Sequence, residues 1–221
     1  SEVLRYKLAE VRELCERYDL DGIELDFQRF PMYFQPGEEQ IHRFALRQWM
    51  RDVRAVVDRA AAQRGRPLKL SARIMATQDF NVAVGLDAVT WAGEKLVDSY
   101  TISHYLRNDY TLPINDFRNL IPSGIPLYAC IEVEPTAERY LEIASKLLEQ
   151  GPDGLMFFNF FTTRERGEEP PFHVLRQVAA LRAEKRPVNA EPPLVLLVVN
   201  KHEDTMSFVD PDTLQKYAQV G

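Results

Sequence analysis

Five short segments of alternating character recur along this chain, and each is followed by a stretch of helical periodicity. Gly22–Phe27, Leu68–Met75, Val97–Tyr105, Pro126–Val133 and Gly154–Phe161 read as strands. Helices are expected over 2–17, 39–64, 88–95, 115–121, from Pro135-Thr136 to about Gln150, and 171–184. Punctuation supports those bounds: Gly65-Arg66-Pro67 closes the long helix, Asp87 stands at an N-cap position, and Gly151 stands at a C-cap. Strands joined to helices by short connections form βαβ units around a parallel sheet. The later strands start about 28–30 residues apart, a usual spacing for (β/α)-barrel units.

The two faces of the strands differ. Ile23, Leu25 and Phe27 alternate with Glu24, Asp26 and Gln28; Leu127, Ala129, Ile131 and Val133 alternate with Tyr128, Cys130, Glu132 and Glu134. A flat parallel sheet covered by helices on both sides is apolar on both. A barrel holds polar groups on its inner face near the strand ends, so we expect a barrel. Eight units need about 200–250 residues, and here five strands occupy the first 184 residues with a helix leading. We therefore expect an α/β fold that is the C-terminal part, about five βα units, of a TIM (β/α)8 barrel over 1–184. A complete five-stranded doubly wound domain is the alternative.

After residue 184 the composition changes. Residues 185–193 are Pro-rich and read as a linker. Residues 194–221 hold three short apolar runs separated by Asn200–Asp204 and Asp210-Pro211-Asp212. This run resembles a YVTN-type β-propeller repeat, which implies a partial all-β blade whose neighbours lie elsewhere. A three-stranded appendage packed on the barrel is the alternative.

A net charge of −6 and the lack of any Lys/Arg cluster argue against a nucleic-acid partner and against attraction to anionic membranes. No apolar run reaches the roughly 18–20 residues of a membrane span. Cys15 and Cys130 lie far apart in helical and strand patterns, and two buried thiols are expected rather than a bridge. The sequence holds no GxGxxG, P-loop, HExxH, CxxC or GxSxG pattern, and its four histidines lack ligand spacing. No cofactor and no metal are expected.

The chemistry concentrates in Asp21–Pro31. Glu24 and Asp26 face one way, with Asp26 nearer the C-terminal rim where barrel enzymes work. Two carboxylates in a confined interior repel, so one must be protonated or paired with a cation. Arg73, with Ser71 and Met75 as face-mates, is the candidate partner, and a buried structural Glu24–Arg73 pair is the alternative to a ligand role. Glu132 approaches the rim from another strand. Asp26 and Glu132 are thus the candidate catalytic pair for cleaving a glycosidic bond, where one carboxyl donates a proton while the other attacks or activates water. Glu24, Arg29, Arg73, His104, Glu134 and Asn159 are candidate substrate-binding residues, although Glu134 also suits a helix entry. Tyr33, Phe34, Trp91, Tyr105 and Phe161 are candidate stacking platforms, with core packing the alternative.

The run "YDLDGIELDFQRFPMYF" with "RGRPLKLSARI" resembles the C-terminal half of glycoside-hydrolase-like TIM-barrel proteins, with their D-G-I-x-x-D-[FW]-x-R-x-P strand signature. The resemblance implies a barrel acting on or binding polysaccharide, with Asp26 and Arg29 at the matching positions. The run also looks like the family-18 chitinase pattern D-G-x-D-x-D-x-E. There Asp21, Gly22 and Asp26 match, Glu24 replaces an Asp, and Gln28 replaces the proton-donating Glu. An amide cannot donate a proton as an acid, so the chitinase mechanism does not carry over.

The expected function is a hydrolase of polysaccharide using two carboxylates, with a carbohydrate as partner. A non-catalytic carbohydrate-binding or interaction module is the second expectation, and a piece inactive by itself is the third. The sequence starts inside a fold pattern, which leaves location open, with a secreted or periplasmic one as the expectation.

Overall fold

The computed structural model describes residues 2–28, 31–104, 111–132, 134, 136–161, 169–185 and 196–197. The fold is α/β with parallel strands, and the chain divides into two compact units. The first comprises residues 1–101 and 116–126, the second residues 102–115 and 127–221.

In the first unit the chain runs through helix α1 (Glu2–Arg17), strand β1 (Gly22–Asp26), helix α2 (Glu39–Arg64), strand β2 (Lys69–Met75), helices α3 (Gln78–Ala83) and α4 (Ala88–Gly93), and into strand β3 (Ser99–Ser103). β1, β2 and β3 are neighbours in chain order. β1 pairs parallel with β2 in a register that sets Glu24 beside Ser71 and Asp26 beside Arg73. Helix α2 buries Leu46, Trp49, Met50, Val53, Val56, Val57 and Ala60, a stripe at three- and four-residue intervals. It stops at Gly65, whose φ of 66° is the left-handed cap conformation. On its way out it serves α1: the Arg64 guanidinium donates to the carbonyls of Cys15, Tyr18 and Leu20, satisfying acceptors a helix end leaves orphaned.

A second stripe of α2 is basic. Arg47 pairs with Asp87, Arg51 with Glu94 at 2.7 Å, and Arg54 with Asp98 at 2.9 Å. This corrects the expectation for Asp87. It stands at the N-cap position of α4 but makes no capping bond, because its carboxylate goes to Arg47. A charged donor outcompetes a backbone N–H.

Helix α3 is not foreseen from the pattern. Its six residues are too few to display a period. Thr77 caps it by accepting from the Phe80 N–H at 3.2 Å. The fully buried Asn81 ties it to β2, accepting from Met75 N and donating to Met75 O, each at 3.0 Å.

In the second unit, strand β4 (Leu127–Ile131), helix α6 (Ala137–Glu149), strand β5 (Gly154–Phe157) and helix α7 (His173–Lys185) follow; helix α5 (Ile114–Leu120) begins here and continues in the first unit. β4 pairs parallel with β5. Thr136 caps α6 as its sequence suggests, accepting from Arg139 N at 3.2 Å. The predicted strand to Phe161 ends early. Asn159 takes a φ of 55°, so the chain turns after β5. Asparagine tolerates the left-handed region better than most side chains. The turn sends Phe160 back onto Tyr140 and Phe157, with ring centroids 5.4 and 5.7 Å away.

Leu196–Leu197, strand β6, pairs parallel with β5. Those two residues thus pair as the strand of another βα unit does. The rest of 194–221 and most of the 185–193 linker lie outside the described residues, as do Arg29 and Tyr105. Cys15 and Cys130 are buried thiols.

Candidate functional site

Period two separates the faces of β1 as the sequence predicts. Phe27, one residue past the strand, packs on Trp91 of α4 with centroids 5.3 Å apart. The opposite face carries Glu24 and Asp26, joined by Ser71 and Arg73 from β2 and Thr101 from β3. Strand register decides who meets whom. Arg73 Nη1 lies 3.1 Å from Asp26 Oδ2, and the other Asp26 oxygen accepts the Gln28 N–H at 2.8 Å. Glu24, beside Ser71, accepts instead from the hydroxyls of Ser71 at 3.1 Å and Thr101 at 3.3 Å. Arg73 thus bonds to Asp26, and the alternative of a buried Glu24–Arg73 pair is corrected by one step of the ladder.

Exposure grades along this face. The Asp26 side chain is 22% exposed while that of its register partner Arg73 is 3%, so the cluster opens to solvent at Asp26. Glu24 is 5% exposed. Burial pushes its carboxyl up to about 7, the Asp26 charge adds to that, and the Ser71 hydroxyl, Arg73 and Thr101 oppose it. One carboxyl of the two is thus held neutral below neutrality, as the repulsion argument requires.

Gln28 is 1% exposed and sits past the strand end, where its amide donates to Ile74 O at 2.5 Å. It ties the end of β1 to β2. Tyr33 stands over the same end: its hydroxyl donates to Phe27 O, and its ring meets Phe27 edge-on at 5.7 Å. Burial, then the charge of Asp26, raises the Tyr33 phenol above its ordinary range, so the phenol stays a neutral donor. Thr101 is the cluster member missed in the sequence. Its signal is the alternation Ser99, Thr101, Ser103 against Tyr100 and Ile102.

The second unit carries the other candidates. Glu132 is 6% exposed. Glu134 lies 3.7 Å from Arg139 Nε, and its backbone N–H donates to the Tyr140 hydroxyl at 2.9 Å. Burial raises the Tyr140 phenol, the Glu134 N–H opposes this, and the charges of Glu134 and Glu132 add to it. Tyr140 thus ties Glu134 to α6, which fits the helix-entry alternative. The His104 carbonyl accepts from Ser103 Oγ at 3.0 Å, and Asn159 forms the turn after β5. Asp26 belongs to the first unit and Glu132 to the second.

The stacking candidates divide. Trp91 is 0% exposed and is core, which corrects its candidacy. Phe34 packs near the backbone of Gly85 and stacks on His42 with centroids 5.9 Å apart. Phe161 joins Phe160 and Phe172 in a ring cluster. Among the described residues no group of three or more His, Cys, Asp or Glu is arranged to hold a metal ion. No helix among them is long and apolar enough to cross a membrane.

No protein-family model matches the chain, and no curated protein matches it. Among the solved structures that resemble it are two at 16% identity. One is a family GH18 chitinase from Chromobacterium violaceum, at a TM-score of 0.38, covering 58% of this chain and 25% of that one. The other is a thiamine phosphate pyrophosphorylase from Pyrococcus furiosus, at a TM-score of 0.36, covering 85% and 94%. The chain spans about a quarter of the chitinase's length.

Proposed function

We propose that this chain is part of a glycoside-hydrolase-like (β/α) barrel and that the Asp26 face of β1 handles carbohydrate, with Asp26 and Glu132 as the working carboxylates. One observation carries the reading. Asp26 is the acid of its cluster that is both ion-paired and part-exposed: Arg73 holds one oxygen, the Gln28 N–H holds the other, and 22% of the side chain still meets solvent. A fixed carboxylate at the end of a strand has lone pairs left for sugar hydroxyls. A carboxylate whose one oxygen bonds to Arg73 is positioned for the part of a base, a nucleophile or a stabiliser of developing positive charge. In a hydrolase the donor is then a second carboxyl, and Glu132 is the proposed one.

A non-catalytic binding module is the second reading, and Gln28 favours it. Where the chitinase-like pattern needs an acid, this chain has an amide committed to the Ile74 carbonyl.

Reducing-end release from a panel of polysaccharides separates the two. Hydrolysis by the wild type, falling at least about a hundredfold in Asp26→Asn and in Glu132→Gln, supports the hydrolase. Binding without release by wild type supports the module. Neither binding nor release across the panel refutes both.

A further inference from the structure

Helix α1 packs one stripe against the fold and leaves a second open. Leu4, Leu8, Val11 and Cys15 recur at four- and three-residue intervals; Val11 and Cys15 are buried, and Leu4 and Leu8 are half-buried. Helix α2 fixes α1 in place, with Trp49 Nε1 donating to Leu4 O at 2.8 Å and Arg64 donating to Cys15 O. One residue round the helix, Val3, Lys7, Glu10 and Leu14 repeat the same spacing. Val3 is 66% exposed and Leu14 39%. Between them Lys7 Nζ bonds to Glu10 Oε2 at 2.8 Å, with both side chains open to solvent. We propose that this stripe is the contact surface for a second copy of this chain, the two α1 helices packing antiparallel about a twofold axis.

The order of residues in the stripe argues for a copy of itself. Laid in opposite directions, two stripes set Val3 on Leu14 of the second copy and Lys7 on its Glu10, and the twofold axis repeats both contacts. Apolar ends meet apolar ends, and each base meets an acid. A parallel arrangement would set Lys7 on Lys7 and Glu10 on Glu10, and like charges disfavour it. The alternating four- and three-residue spacing is that of a two-helix seam. Charge agrees at longer range. The chain carries a net charge of −6, yet α1 has as many bases as acids, so two α1 helices approach without net repulsion between them. Tyr6, also exposed, stands next to the stripe with the Lys7 ammonium 5.7 Å from its ring centroid, and it widens the apolar surface at the rim. In the single chain Lys7 and Glu10 satisfy each other; in the pair the same four side chains form one network.

The stripe carries no residue of the Asp26 face, so this inference stands or falls apart from the carbohydrate reading. Sedimentation equilibrium of the whole chain tests it from about 10 µM to about 1 mM, the span that a small helix–helix interface calls for. The wild type should pass from monomer to dimer within that span. Lys7→Glu sets acid against acid twice per dimer, Glu10→Lys sets base against base, and each should weaken association about tenfold or more. Mixed in equal amounts, the two variants offer each other opposite charges at both positions, and a dimer should reappear that neither forms alone at the same concentration. A role confined to the single helix gives no such complementation. Val3→Asp, at an exposed position, should also disperse the dimer, and tryptophan fluorescence checks that each variant is folded. A chain that stays monomeric throughout, a dimer unmoved by the single substitutions, or charge variants that stay apart on mixing overturns the proposal.

Discussion

Replacing Glu24 with glutamine should stabilise the first unit at high pH and leave it little changed at low pH. The carboxyl ionises at about 7 in the folded chain against an ordinary 4.5. Each pH unit of such a gap is worth about 1.4 kcal/mol, so ionising Glu24 costs the folded state about 3 kcal/mol. The sign follows from proton binding. Below pH 4.5 Glu24 is protonated in both states and contributes no pH dependence. Between 4.5 and 7 the folded state keeps a proton that the unfolded chain has lost, so stability falls as pH rises, by about 1.4 kcal/mol per unit. Above 7 the whole amount is lost. Glutamine removes the titration, and its amide can still use the Ser71 and Thr101 hydroxyls. Urea unfolding followed by tryptophan fluorescence reports on the right unit, because Trp49 and Trp91, the chain's two tryptophans, both lie in the first. The difference between variant and wild type cancels the other acids. It should be near zero at pH 4 and about 3 kcal/mol in favour of Glu24→Gln at pH 8. A difference that is flat from pH 4 to 8 would refute the reasoning.

Gly85→Ala should destabilise the first unit by about 1–3 kcal/mol, since Gly85 has a φ of 83° and an added Cβ would lie 2.6 Å from Phe34 Cε2; a change under about 0.5 kcal/mol in the same fluorescence assay contradicts this. Gln28→Glu should cost at least about 2 kcal/mol, because a carboxylate at a 1% exposed position would face the Ile74 carbonyl in place of an N–H donor; a neutral effect would mean that the Gln28–Ile74 bond does not close the strand ends. Thr136→Ala should cost about 1 kcal/mol by removing the cap on α6. That loss should appear in thermal melts read by far-ultraviolet circular dichroism, and an unchanged melting temperature would contradict it.

The fold was legible wherever a period ran long enough. The 26 residues of α2 and the strict alternation of β1 announce themselves, and both are found where the pattern puts them. Six-residue α3 was not legible, because its existence depends on a Thr77 cap and on Asn81 reaching back to β2. Asp87 looked like a cap until the fold brought Arg47 to it across 40 residues of chain. The run Phe157–Phe161 reads as strand throughout, yet the turn at Asn159 ends β5 and folds Phe160 onto Tyr140. At the site, alternation showed which residues share a face, and so found Glu24, Asp26, Arg73 and Ser71. It could not show register, and so left open which of the two acids Arg73 meets. Register belongs to the pairing of two strands and is not written in either alone.

The claim on which the account depends is that the Asp26 carboxylate meets carbohydrate, and saturation-transfer NMR with a panel of oligosaccharides tests it without requiring turnover. The account predicts that at least one oligosaccharide receives saturation from the wild-type chain and that Asp26→Asn, folded by its tryptophan fluorescence, abolishes the transfer. Transfer that is undiminished in Asp26→Asn, or a panel that stays silent with the wild type, would contradict it.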